Sequence, residues 1–282
     1  MIATPISADS LLHATKGMPG SPPLWAELGR LLAGMHAKPS AIAASLGRNL
    51  ALGERILLIG NTTLYNAREA PYSTLQDVVA EVGLTEIYRL VGFASVRLAC
   101  AEPLSAYQVS ANQLLENSLF TALLAEALVD TGKLDPRAAF TAGLLRSVGK
   151  IALDRLASDN LQGGGHGRPD GLANWEMAYL GMTNCEAAAV ILRSWRFPAE
   201  VVAGVRDHYL IGAKPAGKLA HLINIAASVT ARCGFGLPGE SDYFDATPEK
   251  YATAHLTEAQ VNDAVVRTLY TFNQVRLAIG VP

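Results

Sequence analysis

Apolar residues return every three or four positions along most of this chain, and strand-like alternation is scarce. That periodicity predicts an all-α protein of about a dozen helices. Pro22-Pro23 can open a helix with Leu24, Leu28, Leu31 and Leu32 on one face. Ser40 can cap a short helix ending near Gly47, and residues 51–59 form another that stops around Gly60-Asn61. The run from Ser73 to Gln76 has capping-box spacing, and Gly83 closes the helix it opens. Thr85 then caps a longer helix with Ile87, Leu90, Val91, Ala94 and Leu98 on one face.

A break at Pro103 separates this set from the next. Residues 111–129 form a well-patterned helix closed at Thr131-Gly132, and Asp135-Pro136 begins the helix that carries Arg146. Residues 158–171, S-D-N-L-Q-G-G-G-H-G-R-P-D-G, are expected to be the most flexible stretch. Helices follow near 173–180, 184–195, 198–210 and 216–232. A glycine- and acid-rich connection over 234–249 leads to a last helix, opened by the capping box Thr257 to Gln260. Its apolar stripe is expected at Val261, Val265, Leu269, Phe272 and Val275. Trp175, Trp195 and Phe197 are expected in the core or at the domain junction. No internal repeat recurs at a fixed period.

Half of the 282 residues are hydrophobic and 17% are charged, enough apolar material for a sizeable core and too little charge for a disordered chain. A formal net charge of -2, with no basic run interleaved with aromatics, argues against a nucleic-acid partner. Cys100, Cys185 and Cys233 are an odd set without C-x-x-C spacing, as expected of thiols in a reducing compartment. The first residues lack a basic region followed by an apolar run, and no apolar stretch reaches the ~20 residues needed to span a bilayer. A cytoplasmic protein without membrane contact is expected.

Nucleophile and phosphate motifs are missing where they might be sought. G-G-G-H-G at 163–167 lacks the G-K-[ST] end of a P-loop, S-V-G-K at 147–150 fails the same test, and no G-x-S-x-G elbow occurs.

Two spaced regions resemble the HDOD domain. One is R-N-L-A-L-G-E-R-I-L-L-I-G-N-T-T-L-Y at 48–65, followed by S-T-L-Q-D-V-V-A-E-V-G-L-T-E-I-Y-R-L at 73–90. The other is the 116–150 stretch, with A-F-T-A-G-L-L-R-S-V-G-K at its end, together with W-E-M-A-Y-L-G-M-T-N-C-E-A-A-A-V-I-L-R-S-W-R-F-P at 175–198. The resemblance covers residues 10 to 230. It implies a multi-helical HD-like bundle, with an N-terminal helical subdomain at 10–105 and an HD-like subdomain at 106–233. Residues 234–282 follow as a C-terminal extension. It also implies a place in bacterial signalling or gene regulation.

In HD phosphohydrolases the frame of 143–150 reads G-L-L-H-D-I-G-K. Placed on that frame, Arg146 and Ser147 stand where the His-Asp pair would be. Asn117 and Asn184 stand at two histidine positions, His208-Tyr209 at a His-His pair, and Ala227 at the final aspartate. An amide or hydroxyl binds a divalent metal far more weakly than imidazole or carboxylate, and a fixed guanidinium opposes one. The resemblance therefore implies no catalytic residues, no metal and no cofactor, and an enzyme is not expected. Two readings of the vacated site stay open. Arg146 and Lys150, with Asn117, Asn184 and His208, could bind a nucleotide or other phosphorylated small molecule. Alternatively Arg146 pairs with a local carboxylate such as Glu116 or Glu186 and closes the cavity. The expected function is regulation through a signalling protein partner, with homodimer formation left open through the last helix.

Overall fold

The computed structural model describes residues 6–16, 18, 23–24, 26–27, 38–66, 70–129, 134–157, 171–211, 216–245 and 247–280. Among the described residues the regular structure is helical apart from one isolated bridge between Leu104 and Val109. Expectations for the helix after Pro22-Pro23, the stop at Thr131-Gly132 and the flexible 158–170 run fall mainly or wholly outside them.

The chain forms two compact units. One comprises Gly17–Ala101 with Asn273–Pro282. It contains α1 (Pro39–Gly47), α2 (Leu50–Gly60), α3 (Leu75–Val82) and α4 (Leu84–Ala99). The local signals explain its boundaries with small corrections. α1 starts at Pro39 rather than after Ser40, because proline fits the first helical turn. Thr74 caps α3 in a capping box with Asp77, one position later than Ser73 and Gln76 would have it. Gly83, at φ 86°, precedes α4 directly, so Thr85 lies inside that helix rather than capping it. Asn61 closes α2 by clasping Tyr72, donating to its carbonyl at 3.0 Å and accepting from its amide at 2.6 Å.

The other unit comprises Met1–Lys16 with Glu102–Phe272. Its helices are α5 (Ala8–Thr15), α6 (Ala111–Ala127), α7 (Pro136–Leu145), α8 (Val148–Leu156), α9 (Leu172–Leu180), α10 (Asn184–Ser194), α11 (Ala199–Asp207), α12 (Lys218–Thr230), α13 (Pro248–Thr253) and α14 (Glu258–Ala278), the last running into the first unit at Asn273. The expected subdomains at 10–105, 106–233 and 234–282 thus differ from the two units at both ends. α5 packs with α8 and α10, and the C-terminal residues are shared between the units.

α6 is the centre of this unit. It is capped by Ser110 and Gln113 and buries nearly every residue from Asn117 to Ala125, so it carries apolar groups all round. α7 and α12 pack against it. Phe120 on α6 meets Phe235 at 5.0 Å and Phe272 at 5.2 Å between ring centroids, contacts that add about 0.5–1.5 kcal/mol each beyond their burial. On α14 the buried stripe is Val261, Ala264, Thr268, Phe272, Val275 and Ile279. Leu269, expected on that stripe, is 37% exposed because Thr268 occupies its turn.

Two glycines set the approach of the helices that matter most. A Cβ on Gly143 would lie 2.8 Å from the Ala122 Cα, and one on Gly149 would lie 1.9 Å from the Asn184 carbonyl oxygen. Only hydrogen fits between α7 and α6, and between α8 and α10. The helix begun at Asp135-Pro136 ends at Leu145, and a second starts at Val148, so Arg146 and Lys150 flank the break, both buried in the unit's interior.

Candidate functional site

Arg146 closes α7, and Lys150 lies in the first turn of α8. Both are 1% exposed, an arrangement that demands partners because an unpaired buried charge costs several kcal/mol. The partner is Glu240, 2% exposed, from the connection after α12. Arg146 grips both carboxylate oxygens, Nη1 donating to Oε1 at 3.0 Å and Nη2 to Oε2 at 2.9 Å. Lys150 Nζ donates to the same Oε1, and the Tyr209 hydroxyl donates to it at 3.0 Å. Asn117 Oδ1 accepts from Arg146 Nη2, while its Nδ2 donates to the Phe235 carbonyl at 2.7 Å.

A second buried carboxylate, Glu176 on α9, sits behind this pair. It accepts from the Tyr107 hydroxyl at 2.9 Å, from the Asn184 amide at 2.8 Å and from Asn184 Nδ2 at 3.0 Å. Asn184 Nδ2 also lies 3.2 Å from the Tyr209 hydroxyl, so one amide and one phenol join the two acids. Charge in the cluster is formally balanced, two cations against two carboxylates.

Burial opposes the Glu240 charge, but the Arg146 and Lys150 charges and their hydrogen bonds outweigh it and hold this carboxyl well below the usual range. Burial also opposes the Arg146 charge, and the Glu240 carboxylate more than restores it. Glu176 is raised, because burial outweighs the Lys150 charge and the Asn184 and Tyr107 hydrogen bonds. Burial pushes the Cys185 thiol well up, as does nearby Glu176, so the thiol is inert at neutral pH. His208 is fully buried, and that burial, aided by the Arg146 charge, lowers its pKa to about 3. The neutral ring places Nδ1 2.6 Å from the Val205 carbonyl, to which it donates, leaving Nε2 as an acceptor with no partner among the described residues.

The residues expected at the site therefore meet different fates. Asn117, Arg146, Lys150 and Asn184 converge, and Tyr209 joins them. His208 lies beside Tyr209, with ring centroids 4.6 Å apart, but bonds to backbone. Ser147 and Ala227 are buried; the Ser147 hydroxyl has no hydrogen-bond partner among the described residues. The carboxylate expected for Arg146 was Glu116 or Glu186. Glu186 instead caps α10 with Thr183, and it is Glu240 that meets the guanidinium. Glu240 itself was hidden in sequence, since it stands in a connection with the composition of a linker. Glu176 stands in the W-E-M-A-Y-L-G segment, yet nothing in that segment marks it as buried.

A divalent metal does not fit this donor set. Two fixed cations already flank the carboxylate, the adjacent histidine holds a backbone carbonyl, and among the described residues no three His, Cys, Asp or Glu side chains are grouped to ligate one.

The HDOD domain model matches residues 18–211. The chain belongs to the HDOD domain family. Among solved structures, an HDOD domain protein with unknown function from Geobacter sulfurreducens aligns with a TM-score of 0.63 at 17% identity, over 97% of this chain and 98% of its own. A Shewanella amazonensis protein provisionally described as a phosphohydrolase aligns at 0.62 and 20% identity, over 97% and 98%. A Marinobacter aquaeolei protein provisionally described as a signal transduction protein aligns at 0.70 and 16% identity, over 91% of this chain but 58% of its own length. At these identities the likeness is one of fold. No curated protein matches the chain. Glu240, Tyr243 and Phe244 lie beyond the residues that the HDOD model matches. Among the described residues no helix is long and apolar enough to cross a membrane.

Proposed function

We propose that this HDOD chain is a non-catalytic regulatory module of bacterial signal transduction, acting in the cytoplasm through contact with a protein partner. The observation that supports this most is the ion cluster. Hydrolysis on an HD-type scaffold requires a metal that activates water and takes up phosphoryl charge. Here Arg146, at a position where the resemblance expects a metal ligand, and Lys150 one turn later both hold the Glu240 carboxylate. His208, neutral and bonded to backbone, is not itself a poised acid or base. The description of the Marinobacter aquaeolei neighbour as a signal transduction protein is in keeping with this reading.

Turnover assays on cyclic dinucleotides and nucleotides with Mn²⁺, Mg²⁺ or Fe²⁺ test it. The expected result is no hydrolysis above the metal-only blank. Hydrolysis by the wild-type chain that disappears in His208→Ala would overturn the proposal.

A nucleotide or other phosphorylated small molecule at Arg146 is disfavoured, because Glu240 already takes both arms of the guanidinium fork.

A further inference from the structure

Glu240 reaches the cluster on a strap, residues 236–245, whose surroundings differ from those of its one buried acid. Ser241, Asp242 and Asp245 are exposed, while Leu237 and Glu240 turn inward. The strap leaves the end of α12 through Gly234, at φ 92°, and turns at Leu237-Pro238-Gly239-Glu240, where Gly239 has φ 77° and the Glu240 amide donates to the Leu237 carbonyl at 3.4 Å. Proline second and a positive-φ glycine third make a tight turn that delivers the acid inward.

Beyond Glu240 the strap is held by few polar contacts. Asn224 Nδ2 donates to the Tyr243 carbonyl at 2.9 Å, Ser228 Oγ to the Phe244 carbonyl at 3.2 Å, and the Ala173 amide to the Tyr243 hydroxyl at 2.9 Å. Tyr243 also stacks on Tyr209 at 4.3 Å. The groups that the carboxylate meets are held by the helices and by further hydrogen bonds. Arg146 is steadied by Asn117, Tyr209 by Asn184, and Arg146 and Lys150 by the helices that carry them. Three groups, on α7, on α8 and at the end of α11, point their donors at one place, and each belongs to an element other than the strap.

We propose that Arg146, Lys150 and Tyr209 form a preformed carboxylate cradle, that Glu240 is its tethered internal ligand, and that an external carboxylate occupies the cradle when the strap is displaced. The two occupants exclude each other, so binding of the external carboxylate and release of the strap are linked. The planar, two-oxygen match to the guanidinium fork defines the ligand class. This goes beyond the regulatory reading and does not depend on it: hydrolytic turnover would overturn that reading and leave the cradle untouched.

The test uses the full chain and sodium acetate as the probe. In Glu240→Ala the cradle is emptied, and acetate should raise Tm by about 3 °C at tenfold its dissociation constant, relative to sodium chloride of equal ionic strength. Wild type should show no acetate-specific rise, and neither should Glu240→Ala combined with Arg146→Met. An equal response of Glu240→Ala to acetate and chloride would overturn the cradle. The milder Glu240→Gln variant gives a second readout should the alanine variant not fold. Limited proteolysis with a nonspecific protease should cut it within 236–245 at least about tenfold faster than wild type, as expected when the opening equilibrium of a local segment shifts. A strap as protected in Glu240→Gln as in wild type would overturn its retention by the ion cluster.

Discussion

Glu240→Gln should be among the most destabilising near-isosteric changes in the HD-like unit. The side chain keeps its volume but loses its charge, which leaves Arg146 and Lys150 buried at 1% exposure with no counter-charge in contact. Two unit charges about 4 Å apart interact by roughly 4 kcal/mol at an effective dielectric of about 20. Desolvation offsets much of that in the intact pair, yet removing one partner alone leaves the penalty uncompensated and costs about 3–5 kcal/mol. Arg146→Met should cost a similar amount, because it strips the bidentate donor from Glu240 and leaves Asn117 Oδ1 without its partner. Together the two changes remove the unpaired Arg146 charge but leave Lys150 without its counter-charge, so their combined cost should fall short of the sum by about 2 kcal/mol. Urea unfolding at pH 7 followed by tryptophan fluorescence measures each value, with Trp175 and Trp195 both buried in this unit. Single-variant costs below about 1 kcal/mol, or additivity within about 0.5 kcal/mol, would refute the idea that the cluster is a desolvated, mutually dependent set.

Acid should weaken the fold through His208. Its folded pKa of about 3 lies below the ordinary 6.5, so the unfolded chain binds the proton first and stability falls as pH drops through the window between those values. The loss should reach about 2 kcal/mol between pH 6.5 and 5. His208→Gln should flatten that slope in a pH series of urea midpoints, and an unchanged slope would contradict the buried neutral ring. The groups facing His208 are Cys185, Tyr209, Arg146, Lys150 and Glu240, and Glu240 adds a further loss below its ordinary value of 4.5. Gly149→Ala should abolish the native packing of α8 on α10, because its methyl would lie 1.9 Å from the Asn184 carbonyl oxygen; far-UV circular dichroism melting should show a loss of more than about 4 kcal/mol, whereas a native-like melt would mean the helices can part cheaply.

The fold was legible because its signals are local. Asp135-Pro136 and Thr257 with Gln260 each start a helix where their spacing places it. Errors arose where two caps compete, as at Ser73 and Thr74, and where a stripe drifts by one residue, as at Leu269. The site was half legible. Arg146, Lys150, Asn117 and Asn184 lie on helices whose periodicity fixes their facing, and they do converge. Glu240 arrives from a connection about 90 residues away from both cations. Its burial depends on a turn at Pro238-Gly239 and on charges that are distant in sequence, and neither leaves a periodic trace. His208 stands at a histidine position of the HD frame, and a 2.6 Å contact with the Val205 carbonyl commits its ring to the backbone, as befits a packing histidine beside a tyrosine.

The proposed function rests on a buried ion cluster, Glu240 held by Arg146 and Lys150, whose donor set does not suit a divalent metal. Mn²⁺ titration of the full-length chain, followed by electron paramagnetic resonance of the free ion, tests it most directly. The account predicts no stoichiometric Mn²⁺ uptake by wild type and no change in His208→Ala. One equivalent of tightly bound Mn²⁺ that is released in His208→Ala would contradict it.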